Sequence, residues 1–241
     1  MSKKTRLDFE LFKRGLVVSR SQAESYIKLG KVLVEDKAIT KAGYFVATSS
    51  DIKITQSEQL VSRAGLKLAS VAKLLQLNLI NAVVLDVGSS TGGFTDYALK
   101  HGAKKVIAVD VGTNQLHPSL HGNPQIELHE QTDIRDFTPE QVPDIVLIDV
   151  SFISMRLILP HIATLSNKNT NVVAMLKPQF EAGASTRNKG VIKNDAIRRQ
   201  ILKDFENWVK QYFVIKSKSD SEVHGQKGNV ERFYSLKKLI K

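Results

Sequence analysis

Five short apolar runs constrain this chain most: AVVLDV (82–87), KKVIAVDV (104–111), IELHE (126–130), DIVLIDVSF (144–152) and NVVAML (171–176). Their length and their Val, Ile and Leu content suit strands buried on both faces. Helical patterns follow at about 92–101, 153–165 and 194–212. This alternation predicts a doubly wound α/β domain with its ligands at the carboxyl ends of parallel strands. An amphipathic helix precedes it in SRAGLKLASVAKLLQL. Leu66, Leu68, Val71, Leu74 and Leu75 form its expected buried stripe, which leaves Lys67 and Lys73 off that stripe.

The first fifty residues are organised differently. In LDFELFKRGL, the apolar Leu7, Phe9, Leu11, Phe12 and Leu16 approximate one helical face, with Gly15 as terminator. A second helix is expected to open on a Ser21–Glu24 capping box and stop at Gly30. KVLVEDKAITKAGYFV then reads as strand, turn and strand, with Glu35-Asp36-Lys37 at the tip. A connector containing a strand covers 51–61, so the division falls into residues 1–60 and 61–241.

Charge separates along the same lines. Residues 1–50 carry +5, residues 51–186 carry −2 and residues 187–241 carry +8, which make up the net +11. Basic flanks around a neutral centre fit a polyanion gripped from the sides, and nucleic acid is the usual one. No cysteine is present, which excludes a disulfide framework and Cys-ligated zinc. The two closest histidines, His117 and His121, are separated by Pro118, which argues against a helical metal-ligand pair, so no metal is expected. The opening MSKKTRLDFELFKRG has no apolar core of a secretory signal, and no window approaches the ~20 apolar residues of a membrane span. The expected location is the cytoplasm.

The stretch VLDVGSSTGGF fixes the kind of cofactor. A dinucleotide fold would need G-x-G-x-x-G, and a P-loop would need Gly-Lys-Ser/Thr. Here Gly88, Ser89 and Ser90 are followed by Gly92, Gly93 and Phe94, with no lysine to meet phosphates. Asp86 stands before the first glycine, and Asp110 closes the next strand, where an acid accepts from a ribose diol. S-adenosylmethionine has a ribose, an ammonium group and no phosphate, so it fits better than NAD or ATP.

Longer motifs carry two resemblances. RLDFELFKRGLVVSRSQAESYIKLGKVLVEDKAITKAG resembles the S4 RNA-binding domain through Arg6-Leu7-Asp8, Ser19-Arg20-Ser21, Ala23, Ile27, Gly30-Lys31-Val32 and Val34. That resemblance implies a small α+β module whose basic face, here Arg6, Lys13, Arg14, Arg20, Lys28 and Lys31, docks on structured RNA. SRAGLKL, LDVGSSTGGFTD, HEQTDIRDF, LIDVSFIS, MLKPQFEAG, NKGVIKN and GNVERF resemble the FtsJ-like ribose 2′-O-methyltransferases. Together the two halves resemble the TlyA family of ribosomal RNA 2′-O-methyltransferases, many of them named haemolysins.

The resemblance implies a Rossmann-like S-adenosylmethionine-dependent methyltransferase acting on ribosomal RNA or ribosomal subunits, at a cytidine ribose. It also implies a catalytic tetrad of Lys67, Asp149, Lys177 and Glu231, with Lys177 as general base. Cofactor contacts are expected from the glycine turn and Asp86, from Asp110 and Val111, from Asp133 and Ile134, and from Asp149. Three places depart from the family. Gly112-Thr113-Asn114 follows Asp110, Asp133 stands where Asn is common, and Glu222-Val223 replaces the usual Ser-Pro approach to GQKGNVE. Two other classes stay open: a pore-forming haemolysin, which would need membrane-inserting segments, and a non-catalytic S4-type RNA-binding protein, which would have no use for the tetrad.

Overall fold

The computed structural model describes residues 4–17, 19–55, 60–182, 190–192, 194–223, 225 and 228–239. Residues 188, 189 and 193 of the NKGVIKN motif therefore lie outside the described residues, as do residues 56–59 of the connector.

The amino-terminal unit contains β1 (Lys4–Arg6), α1 (Leu7–Lys13), α2 (Arg20–Lys28), β2 (Val32–Val34), β3 (Lys37–Ala38), β4 (Phe45–Ala47) and β5 (Ile52–Ile54). β2 pairs with β3 and β5, and β1 pairs with β4, all antiparallel. The expected apolar face of α1 is only partly buried: Leu7 and Leu11 are inside, whereas Phe9 and Phe12 are 43% and 46% exposed. At 100° per residue Leu11 lies about 40° from Leu7, but Phe9 lies about 200° away, which turns it to solvent. Gly15 ends the helix with φ +69, and Leu16 N–H bonds to the Leu11 carbonyl. The cap of α2 is Ser19 rather than Ser21. Ser19 has extended backbone and accepts from Gln22 N–H at 3.1 Å, while Ser21 lies inside the first turn and accepts from Arg63 Nη1. At the hairpin tip Glu35 and Asp36 both take positive φ, 50° and 60°, the conformation of a type I′ turn without glycine.

The second unit is built on a seven-stranded sheet. In chain order it contains α3 (Arg63–Ala72), β6 (Val83–Val87), α4 (Gly93–Lys100), β7 (Lys105–Val109), β8 (Ile126–His129), β9 (Ile145–Ile148), α5 (Met155–Leu165), β10 (Asn171–Leu176), α6 (Pro178–Glu181), α7 (Asp195–Val209), β11 (Phe213–Asp220) and β12 (Arg232–Lys238). The order across the sheet is β11-β12-β10-β9-β6-β7-β8. The five strands anticipated from apolar runs are parallel, whereas β12 is antiparallel to β10 and β11 to β12. The last two strands have no counterpart in the sequence reading, because KSKSD and SLKK are too polar to register as apolar runs.

Alternate residues of the strands feed two cores. Val84, Val106, Leu147 and Val173 face α3 and α4, whereas Leu85, Ile107, Val146 and Val172 face α5 and α7. Leu74, expected in the buried stripe of α3, is 63% exposed, since the helix ends before it. The first core continues through Leu60 into the amino-terminal unit, where it includes Leu11, Tyr26 and Ile27. Gln22 Nε2 donates to the Leu60 carbonyl at 2.7 Å, and Val61 N–H donates to Asp96 of α4 at 2.9 Å. The two units are thereby packed on a common apolar seam.

Candidate active site

Strand β6 stops because its exit must pass close under the loop after β9. Gly88 takes φ +80, and a Cβ there would lie 2.8 Å from the Asp149 carbonyl oxygen. Only glycine fits both conditions. Gly92 and Gly93 are also required by packing. A Cβ on Gly92 would meet Leu116 and Leu120, and one on Gly93 would strike Ser62 Oγ and Ala64, so these glycines let α4 pack tightly against its neighbours. Asp110, at the end of β7, fastens the turn. Its Oδ2 accepts from Ser90 N–H at 2.9 Å and its Oδ1 from Gly112 N–H at 2.7 Å. Each oxygen keeps a second lone pair for a ligand. In the departure at 112–114, Glu130 accepts from Asn114 N–H and Gln115 N–H, and the Gln115 side chain accepts from Ser90 Oγ.

Outside these strand ends lies a cavity of about 430 Å³. Gly88, Ser90, Asp110, Val111, Asp133, Ile134 and Asp149 line it, all anticipated, together with Gln115, Thr132 and the 150–153 loop. Val111 forms an exposed rim and Ile134 a buried floor. Asp133 is turned onto Arg135, which donates to Oδ1 at 3.0 Å and to Oδ2 at 2.6 Å and holds the carboxyl below its ordinary pKa. This carboxylate is therefore already engaged by Arg135 where it lines the cavity.

A smaller cavity of about 130 Å³ shares Gly88, Ser90, Asp149 and Ser151 with the first and adds Ala64, Asp86, Ser89, Phe94 and Lys177. Asp86 is fully buried, and its Oδ2 accepts from Thr95 Oγ1 at 2.6 Å. Among the described residues, its Oδ1 and the Ser89 hydroxyl have no hydrogen-bond partner. Burial, with Asp149 and Asp110 nearby, pushes the Asp86 carboxyl up to about 7, against the Thr95 hydrogen bond. A buried, unpartnered carboxylate oxygen calls for a donor or a cation. The ammonium of S-adenosylmethionine would meet that need while its nucleoside occupied the larger cavity beside Asp110. The residues present thus fit this cofactor.

Register brings the four tetrad positions to the same end of the sheet. Leu176 of β10 lies opposite Arg232 of β12, so Lys177 and Glu231 flank one another just beyond that pair. Ala174 lies beside Ile148, which puts Asp149 one step further along β9. Two ion pairs result: Lys177 with Asp149 at 2.5 Å, and Lys67 of α3 with Glu231 at 3.1 Å. All four side chains are 15% exposed or less. Lys177 Nζ also donates to Ser151 Oγ at 2.7 Å. Glu231 Oε2 is buried without a partner among the described residues, and Gly225 lies against Oε1, where a Cβ would approach to 2.2 Å. The sequence reading missed Ser151 and Phe152. Phe152 takes φ +66, is 91% exposed and rests 5.1 Å from the Phe180 ring. Their position two and three residues past a strand-end acid was the available signal.

On the amino-terminal unit, Arg6 and Arg20 both donate to the buried Asp8, each at 2.9 Å, and stay about half exposed. Lys13, Lys28 and Lys31 are exposed. Arg14 differs from the other five, because it bonds Glu10 and the carbonyls of Thr48 and Ser50, which makes it a strap within the fold. Phe9 and Phe12 lie among these cations, with the Arg20 guanidinium 6.0 Å from the Phe9 ring centre.

Known proteins agree with this architecture. Residues 60–238 match the FtsJ-like methyltransferase family and residues 5–52 the S4 domain. The 23S rRNA (cytidine-2′-O)-methyltransferase TlyA of Campylobacter jejuni is 38% identical over 251 residues, covering 95% of this chain and 98% of that protein. Hemolysin A of Brachyspira hyodysenteriae is 36% identical over 232 residues, covering 94% and 97%. A solved structure from Streptococcus thermophilus, also named as a hemolysin, is 36% identical with a TM-score of 0.72, covering 99% of this chain and 90% of that one. The chain belongs to the FtsJ-like methyltransferase family and carries an amino-terminal S4 domain, the arrangement of the TlyA proteins.

Proposed function

We propose that the protein transfers a methyl group from S-adenosylmethionine to the ribose 2′-hydroxyl of a cytidine in ribosomal RNA, in the cytoplasm. One observation carries the reading: the Lys177–Asp149 pair borders the small cavity that also holds the unpartnered Asp86 carboxylate. When bound there, the cofactor would supply a sulfonium methyl, which is electrophilic without a metal.

The chain's own residues divide the remaining work. Asp86 and Ser89 meet the ammonium end, Asp110 accepts from the ribose diol, and Ile134 and Ile153 wall the base. Asp149 and Ser151 fix Lys177 Nζ at the cavity mouth, where it is placed to take the proton from the attacking 2′-hydroxyl. Glu231 holds Lys67 beside this point, which adds positive charge where oxyanion character develops. Phe152 offers an exposed ring face on which an unstacked nucleobase can lie. The S4 unit supplies phosphate contacts through Lys13, Lys28, Lys31 and the exposed heads of Arg6 and Arg20.

The test is transfer of labelled methyl to unmodified ribosomal RNA. Lys177→Ala should lose about 10²–10⁴-fold in single-turnover rate while the protein still binds cofactor. Lys177→Arg should fail almost as badly, because guanidinium stays protonated. Near-wild-type transfer by the folded Arg variant would remove Lys177 as base. The haemolysin reading would instead require lysis of liposomes by the pure protein. Among the described residues no helix is long and apolar enough to cross a membrane.

A further inference from the structure

The largest cavity among those described, about 630 Å³, lies at the opposite end of the sheet from the active site, where β6, β9 and β10 begin. Its lining has an uneven chemistry. Lys216 of β11 and Lys237 of β12 line it, and the Lys237 ammonium donates to the Asn169 backbone carbonyl at 2.5 Å. Among the described residues neither lysine is ion-paired. Two amide side chains in the lining use their oxygens as acceptors: Asn78 Oδ1 accepts from Ile80 N–H at 3.1 Å, and Asn171 Oδ1 accepts from Ser235 Oγ at 3.0 Å. Their NH₂ groups remain as donors for a ligand. The one carboxylate in the lining, Asp144, accepts from Val83 N–H at 2.8 Å through Oδ2. The cavity therefore offers two ammoniums and several amide donors against a single acid that is already engaged.

We infer that this cavity is a phosphate-binding site, formed by Lys216, Lys237, Asn78 and Asn171, that grips the RNA backbone on the side of the enzyme away from methyl transfer. Burial and the neighbouring Lys216 hold the Lys237 ammonium below its ordinary pKa, a penalty that a bound phosphate relieves. Strands of five or six residues separate this site from the active site, about 16–20 Å at ~3.3 Å per residue. A phosphodiester chain touching both must fold around the edge of the sheet, as a compact RNA can. The proposal takes RNA from the functional reading above, and its test separates the two.

The experiment measures binding of an in vitro 23S rRNA transcript to the full chain and to Lys216→Gln/Lys237→Gln as KCl is varied. Loss of two phosphate contacts should lower the slope of log K against log [KCl] by about 1–2, with S-adenosylmethionine affinity and methyl transfer at saturating RNA unchanged. An unchanged slope in the folded double variant overturns the proposal. So does a cavity that binds inorganic phosphate, seen as lysine chemical-shift changes, while the RNA slope stays the same, since the ligand would then be a small anion. If the slope falls but wild-type protein methylates no ribosomal RNA, the phosphate site stands and the assigned substrate fails.

Discussion

Asp86 should make cofactor binding depend on pH in a way that few surface carboxylates could. Its carboxyl is fully buried, has one unpartnered oxygen and ionises near pH 7 in the free protein. An ammonium is held only by the ionised form, so well below pH 7 each further pH unit should cost about 1.4 kcal/mol, or tenfold, in affinity. Between pH 7 and pH 5.5 S-adenosylmethionine should bind roughly 15-fold more weakly, and binding below pH 7 should release a proton. The upper limit of the useful range is about pH 7.7, where an α-amino group begins to lose its own charge.

The same shift affects folding. An acid whose folded pKa exceeds its unfolded value binds more protons when folded, so its contribution is fully present below about pH 4 and is lost as pH rises to about 7. Asp86→Asn removes the charge and keeps an acceptor for Thr95. At pH 8 the cofactor-free variant should be more stable than wild type, by at most about 4 kcal/mol from the three-unit shift. Calorimetry in buffers of different ionisation enthalpy reads the proton, and urea unfolding reads the stability. Cofactor affinity that is flat from pH 5.5 to 7.5, or Asp86→Asn with wild-type affinity at pH 7.5, would refute the role of Asp86.

Other consequences follow from contacts around the site. Gly225→Ala places a methyl group within 2.2 Å of Glu231 Oε1 and should cut methyl transfer by about 10–10²-fold with cofactor binding intact; a single-turnover assay at wild-type rate would show that the loop yields freely. Lys28→Gln/Lys31→Gln should lower the salt slope of RNA binding by about 1–2 without changing cofactor affinity, and equal slopes would remove α2 from the RNA surface. Substitution serves better here than deletion of residues 1–50, because Leu7, Leu11, Tyr26 and Ile27 share a core with Leu60 and Leu66.

What the sequence made legible depended on whether a residue's role was local. The five parallel strands, the positive φ at Gly15 and Gly30, and the strand-end acids are written in periodicity and in turn chemistry, and they stand where that grammar places them. Other features depend on packing or on local pairing that spacing alone does not fix. The packing of Gly92 and Gly93 against Leu116, Leu120 and Ser62 comes from parts of the chain far from the glycine turn. The pairing of Asp133 with Arg135 is not written in spacing, and Ser19 takes the cap because its backbone, not Ser21's, is extended at that point.

The ion pairing at the site shows the limit most clearly. Motifs indicate Lys67, Asp149, Lys177 and Glu231 as a set, but not which acid holds which lysine. That choice comes from β12, the antiparallel strand the sequence reading lacked. Because β12 runs against β10, its first turn brings Glu231 level with Lys177, close enough for α3 to deliver Lys67 to it, while Asp149 stays free for Lys177. A parallel strand in the same place would end at this edge instead of beginning there, and Glu231, which precedes the strand, would fall at the far side of the sheet. The antiparallel turn of the carboxyl-terminal hairpin is thus what allows the catalytic end of the sheet to carry two buried acid–lysine pairs rather than one.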